Sequence, residues 1–456
     1  MKKLFLFCVL CVALILTGCS DNSSKLNPNN PVTLNIGHVY GSQTKSPLND
    51  AIQRFNETEG KRTGVIVKVA SVSNSSAIDK ALVASATKQP GSVPMPDLFT
   101  AYPRIMTKLD TKLLLPWENY LTKEELASYR EDFLKEGHYK EHLYMLPIAK
   151  STELLFVNQT FMDRFLKANQ LTAAKLEDYD TLFALCHKYY QWSGGKQMFQ
   201  INDFYHYFLT NMAALGDDFI HNGKPNFTCP TFWRIYRPMA EAAIKGGLCT
   251  EKGYASDRWK TGEVISNVGS TAGILYLRDY VTHADNSRKA ITTSFLPSPI
   301  FKEAVNKRFL LQRGTGLLAL QNKDERKNQA AAVFAKWIGQ KEHNLRFVTQ
   351  AGYLPVNKEA MQALMARPEQ VENNKYRQLY KVLQNVENNG SYLALPIYEK
   401  AGQTQAMLEK NIKQILTQAH QEYEQKERSG QSSQAVLDQL VQDSLTQLQK
   451  SMDLSL

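Results

Sequence analysis

Four short runs in this chain have spellings that could carry chemistry. His138-Tyr139-Lys140-Glu141-His142 reads H-x-x-E-H, which on a long buried helix sets two imidazoles on a zinc ion with the glutamate as base. Gly137 precedes the run and a strand-like segment follows at once, so the required helix is missing and no metal is expected. Gly269-Ser270-Thr271-Ala272-Gly273 has its serine one place too early for the G-x-S-x-G turn of a serine nucleophile. Gly314-Thr315-Gly316 lacks the third glycine and the following acid of a dinucleotide site. Ser193-Gly194-Gly195-Lys196 ends like a phosphate loop, but it follows a helix and has no upstream glycine, which makes it a surface turn. Acid, base and nucleophile converge nowhere, and the sequence predicts neither a catalytic residue nor a cofactor.

Groups suited to binding are plentiful. Tyr40, Tyr102, Phe204, Tyr205, Trp233, Trp259 and Tyr353 supply rings of the kind that stack on the apolar faces of sugars, with polar groups around the edge. Core packing is the competing reading for each. Tyr102, just past a strand end, is well placed for a cleft, whereas Trp337 lies on the apolar face of a helix and reads as core. Lys150, Arg104, Arg278 and Arg313 could grip an acidic ligand. Arg278 falls in a predicted helix, where a structural ion pair competes.

These residues are positioned by alternating strand and helix patterns. Val32 to Ile36, Val65 to Val69 and Pro96 to Thr100 read as strands. Between them fall a helix with Leu48, Ala51, Ile52 and Phe55 on one face and a second helix from Ser75 to Thr87. Strand–helix–strand–helix–strand predicts a parallel α/β sheet with helices on both faces. Asn158 can cap a helix that buries Phe161, Met162, Phe165 and Leu166. Residues 178–250 read as mainly helical. Val264 to Val268 reads as a strand that runs through the glycine-serine loop into a helix ending near Tyr280. Phe309 to Leu311 and Gly316 to Leu320 are late strands, and Ala330, Val333, Phe334, Trp337 and Ile338 share a helix face ended by Gly339. The last hundred residues are helical, with a polar interruption from Glu422 to Ser433.

The N-terminus is an address. Lys2 and Lys3 precede an apolar run, Leu4 to Leu16, that is too short to span a bilayer and has the layout of a secretory signal. Leu16-Thr17-Gly18-Cys19 closes it and resembles a bacterial lipobox, which implies cleavage before Cys19 and lipid on its thiol. Residues 1–18 are then a signal peptide, and 19–31 a polar, flexible tether. Removing the signal takes two lysines from the 54 basic residues and leaves 52 against 44 acidic, net +8. The excess is spread evenly, with no block suited to nucleic acid. Of six cysteines, Cys186, Cys229 and Cys249 remain in the body. Cys186 falls in a core helix, and a Cys229–Cys249 disulfide is the pair favoured by loop position.

Several segments, in order, resemble extracellular solute-binding proteins of family 1. They are Leu146-Pro147 with Leu155-Phe156-Val157-Asn158, Trp259 to Val264 before the glycine-serine loop, Leu296-Pro297, Gly314 to Leu320, the Ala331 to Ile338 helix, and Gly352-Tyr353-Leu354-Pro355-Val356. The resemblance implies an α/β, two-lobed, type II-like periplasmic-binding-protein fold with hinge-joined lobes and a ligand cleft between them. It places 32–148 with 318–352 in lobe one, 152–314 with 356–456 in lobe two, and crossings near 149–151, 315–317 and 353–355. Within the family the glycerol-3-phosphate receptors are most similar, through Ser151-Thr152, the run from Ser270 to Tyr280, and Tyr353. The chain departs from them at Ser73 to Ser76, where they have an aromatic residue. Ala101 to Arg104 lacks their acid, and Ala394 to Tyr398 lacks their arginine. These departures keep a sugar or another polyol derivative open.

The expected ligand-facing set is Tyr40, Tyr102, Ser151, Trp259, Ser270, Gly314 and Tyr353. The resemblance implies a monomer anchored by Cys19 on the extracytoplasmic side of the cell membrane. It would carry a sugar or glycerol phosphate to ABC permease subunits. A receptor presenting ligand to a sensor kinase, and a lipid-anchored hydrolase, are the alternatives.

Overall fold

Alternation of apolar and polar side chains starts the fold. In the strand Val32–His38, Leu34 and Ile36 are buried while Asn35 is exposed. In the helix Pro47–Glu57, Ser46 accepts from the Asn49 amide and Pro47 sets the first turn, so that Leu48, Ala51, Ile52 and Phe55 face the sheet. The computed structural model describes residues 25–40, 46–172, 176–304 and 308–453, without the side chains of Ser75 and Ser76. The signal run and Cys19 lie outside the described residues.

Two five-stranded sheets organise the chain. The first has the order 65–72, 32–38, 98–101, 316–319, 146–147. Its first three strands are parallel, as the repeating pattern requires, and 316–319 enters antiparallel with Gly316 opposite Ala101 and Ala319 opposite Leu98. The second has the order 248–249, 197–201, 264–270, 153–158, 293–297. Strand 153–158 is buried along its whole length, and Asn158 Oδ1 accepts from the Phe161 amide to open the next helix. The core of the second lobe is aromatic, with Phe208 packed at 4.7 Å on Phe232 and 5.4 Å on Phe219 between ring centres. Helices Ala401–Arg428 and Gln434–Asp453 pair with each other and close over helix Pro230–Ile244. Among the described residues no helix is long and apolar enough to cross a membrane.

Three short segments lie side by side where the chain passes between the sheets. Lys150 and Leu354 exchange backbone hydrogen bonds of 3.1 and 2.5 Å, and Ser151 and Arg313 exchange bonds of 2.9 and 2.8 Å. The middle crossing lies at 313–315, two residues before the expected 315–317, because Gly316 already pairs with Ala101 in the first sheet. The helix Lys358–Ala366, expected in lobe two, packs on helix Lys341–Thr349 instead.

Other expectations are corrected. The segment after Ser270 is a 3-10 turn, Thr271–Tyr276, not a helix reaching Tyr280, which begins a strand paired with 288–290. The 422–433 interruption starts only at Ser429. Ion pairs Lys426–Glu422 at 3.3 Å and Arg428–Glu424 at 3.0 Å hold the polar stretch helical until Gly430 turns with φ of 69°. Cys186, Cys229 and Cys249 are all free thiols. Cys229 and Cys249 flank opposite ends of a 15-residue helix, about 22 Å long at 1.5 Å per residue, far beyond the ~6 Å a disulfide spans.

Candidate functional site

The crossings bring together residues far apart in sequence. Ser151 is buried on the first crossing, and Ser270 ends strand Val264–Ser270 beside it; Ser270 Oγ donates to Ser151 Oγ at 3.0 Å. The Thr271 amide donates to Thr152 O at 2.8 Å, locking the loop to that crossing. Gly352 needs its glycine here: its φ is 71°, and a Cβ would meet Thr271 O at 2.6 Å. The next residue, Tyr353, is therefore held against the serine loop and stays half-buried.

Tyr102 follows strand Leu98–Ala101, as its strand-end position predicts, and is also half-buried. Tyr353 lies within electrostatic reach of Tyr102, Tyr276 and Arg313, and burial first, then these neighbouring rings, pushes its phenol well above the usual range. Tyr276, at the end of the 3-10 turn, is 50 % exposed, and Tyr254 beside it is 69 % exposed. Tyr102 and Tyr353 thus meet one guanidinium, with Tyr276 beside Tyr353.

That guanidinium is fixed from below. Arg313 Nη1 donates to Glu153 Oε1 at 2.8 Å, and the same oxygen meets His206 Nδ1 at 3.0 Å. Burial opposes the Arg313 charge, but Glu153, with Tyr102 and Asp203, more than offsets this and raises its pKa. Asp203 caps helix Phe204–Ala214 through the His206 amide at 3.1 Å and takes Gln405 Nε2 at 2.7 Å. Deeper, Glu409 accepts the Phe204 and Tyr205 amides. Burial, then Asp203, push the Glu409 carboxyl up to about 8.

The other expected residues fall elsewhere. Tyr40 is buried under Tyr353, its ring 5.1 Å from that one and 5.3 Å from Phe347, and its hydroxyl donates to Thr315 O at 2.6 Å. It supports the crossing and does not line the cleft. Trp259 has no exposed surface and its indole donates to Arg278 O at 3.2 Å, so it is core. Gly314 acts through its backbone: φ is 103°, and a Cβ would meet Ala149 O at 2.8 Å. Lys150 is wholly buried against Glu136 and grips no ligand. Arg104 does stand beside the site, its guanidinium 4.9 Å over the Tyr102 ring, but it is tied to Asp79 at 2.9 Å. Arg278 is exposed in a loop over Tyr280. The H-x-x-E-H run is a hairpin with His138 and His142 on opposite strands, and His142 is held by Glu118 at 2.6 Å.

Glu153, His206, Asp203, Gln405 and Glu409 were missed from the sequence. Only Asp203 carried a local signal, as a cap before Phe204. A cavity of about 370 Å³ lined by Arg130, Met361, Met365 and Glu387 lies away from this site. Its charges are matched to one another, Arg130 with Asp132 at 2.8 Å and with Glu387.

Two α/β sheets linked by adjacent segments, with a tyrosine-lined polar face beside them, frame the site. The chain belongs to the bacterial extracellular solute-binding protein family, whose model matches residues 50–376. Among solved structures, the ABC substrate-binding protein Lmo0181 from Listeria monocytogenes in complex with cycloalternan is similar at TM-score 0.66 and 11% identity, over 93% of this chain and 100% of that one. UgpB from Mycobacterium tuberculosis in complex with glycerophosphocholine is similar at 0.65 and 16%, over 93% and 99%. The cyclic alpha-maltosyl-1,6-maltose binding protein from Arthrobacter globiformis is similar at 0.63 and 14%, over 93% and 99%. At such identities the likeness shows the fold. No curated protein matches the sequence significantly.

Proposed function

We propose that this protein is a solute-binding lipoprotein held on the extracytoplasmic side of the membrane by lipid on Cys19. It captures a sugar or glycerol-phosphate-type solute in its cleft and delivers it to the permease subunits of an ABC importer. The supporting observation is the meeting of Tyr102 and Tyr353 with Arg313, with Tyr276 beside Tyr353. Rings from two lobes and a crossing can enclose one polyhydroxylated ligand, with hydroxyls and a guanidinium at its edge. A ligand touching both lobes favours the closed form by its differential affinity, and the closed form is what a permease can read. Cycloalternan and glycerophosphocholine, bound in the two complexes above, are consistent with such a cleft.

A melting panel of neutral oligosaccharides, polyols and glycerol phosphates tests this reading. Ligand at 100 times its Kd stabilises the native state by about 2.7 kcal/mol, so a true solute raises the melting temperature plainly. No shift from any solute, together with hydrolytic turnover of one of them, would sink the proposal. Cys19→Ser should release the protein from the membrane fraction; retention there would refute the anchor.

A further inference from the structure

Arg313 is the cation at the centre of the tyrosine cluster, yet it is already matched. Glu153, 8 % exposed, takes its Nη1 and also takes His206. A carboxylate only accepts, so His206 carries its proton on Nδ1. Gln405 Nε2 lies 3.4 Å from the other ring nitrogen. Asp203, 3.5 Å from His206, adds a second carboxylate. One guanidinium and one imidazole thus share two carboxylates, so with the ring in either state the floor offers no net positive charge to an anion.

Arg313 nevertheless keeps donor capacity. Its side chain is 17 % exposed, and Glu153 takes only one of the four N–H groups on its two terminal nitrogens, whereas the Nε, without an acceptor among the described residues, is buried away from a solute. A guanidinium with one arm tied and its charge offset suits a neutral hydroxyl acceptor better than a second carboxylate or phosphate. We propose, on the reading that the cleft takes a saccharide-like solute, that Arg313 is a specificity-determining ligand contact selecting uncharged, hydroxyl-rich solutes over acidic counterparts. Glu153 is its positioning residue: it aims the guanidinium and cancels its charge. This runs against the sequence expectation that Arg313 grips an acid.

The test is calorimetric titration of the full protein with maltotriose and with the same trisaccharide oxidised to a terminal uronate. Wild type should bind maltotriose at least tenfold tighter than the uronate. Arg313→Gln should weaken maltotriose at least tenfold, with part of the loss restored by Arg313→Lys. Glu153→Gln should move the neutral-to-acid ratio at least tenfold toward the acid, a change that a merely structural role does not produce. If Glu153→Gln fails to fold, the Arg313 pair of variants decides. Maltotriose binding that ignores Arg313→Gln, a wild-type preference for the uronate, or an unmoved ratio in Glu153→Gln overturns this inference alone. Failure of both trisaccharides to bind wild type ends the saccharide reading and this inference with it.

Discussion

Lys150→Met isolates the most costly electrostatic feature of the crossings. Lys150 and Glu136 form an ion pair whose side chains are 0 % and 2 % exposed. Unit charges about 4 Å apart attract by roughly 4 kcal/mol at an effective dielectric constant of about 20. Removing the ammonium forfeits that attraction and strands a desolvated carboxylate, a loss of about 3–5 kcal/mol for buried pairs of this kind. Methionine keeps most of the apolar stem, so packing contributes little. The double variant Lys150→Met with Glu136→Met removes both charges and should recover most of the loss, because desolvation nearly cancels attraction in such pairs. Calorimetric melts at neutral pH read both numbers, fitted to as many transitions as the two lobes show. A single-variant cost under about 1 kcal/mol would refute the reasoning, as would a double variant no more stable than the single.

Three further outcomes follow from the site. The folded pKa of Glu409, about 8, exceeds its unfolded value of 4.5, so its contribution is fully present below pH 4.5 and is lost as pH rises through 8. Stability should therefore fall by a few kcal/mol across that window in wild type and stay flatter in Glu409→Gln, as read by urea midpoints at each pH. Gly314→Ala should destabilise by about 2 kcal/mol or more, from a left-handed backbone and a clash with Ala149 O, visible as a lower melting temperature. Ser270→Ala should weaken solute binding with about 1 kcal/mol or less lost from stability, whereas Tyr353→Ala should weaken both, because its ring packs on Tyr40 and Phe347. Unchanged solute affinity in both variants would discard the serine-tyrosine part of the site.

The scaffold was legible where local signals decide it. Asn158 caps the helix that its position announced, and the apolar face from Leu48 to Phe55 is buried as its spacing demands. Ser151, Ser270 and Tyr353 were legible only through ordered resemblance and Tyr102 through its place after a strand; Ser270 bonds Ser151, and Tyr353 lies near Tyr102. What could not be read is pairing across distance. Glu153 meets His206 across 53 residues and Arg313 across 160, and no pattern in one sequence encodes either contact. Trp259 and Tyr40 misled for the complementary reason, since a ring suited to stacking on a ligand is equally suited to a core. The Cys229–Cys249 expectation failed because sequence proximity ignores the length of a helix between two thiols.

Strand Gly316–Ala319 lies inside the first sheet, hydrogen-bonded on one side to 98–101 and on the other to 146–147. During synthesis the earlier strands must wait with a gap between them until about 320 residues have left the ribosome. Of the two five-stranded sheets, the one whose chain is made first is thus the last to close. An N-terminal fragment ending before this strand should not fold as a lobe.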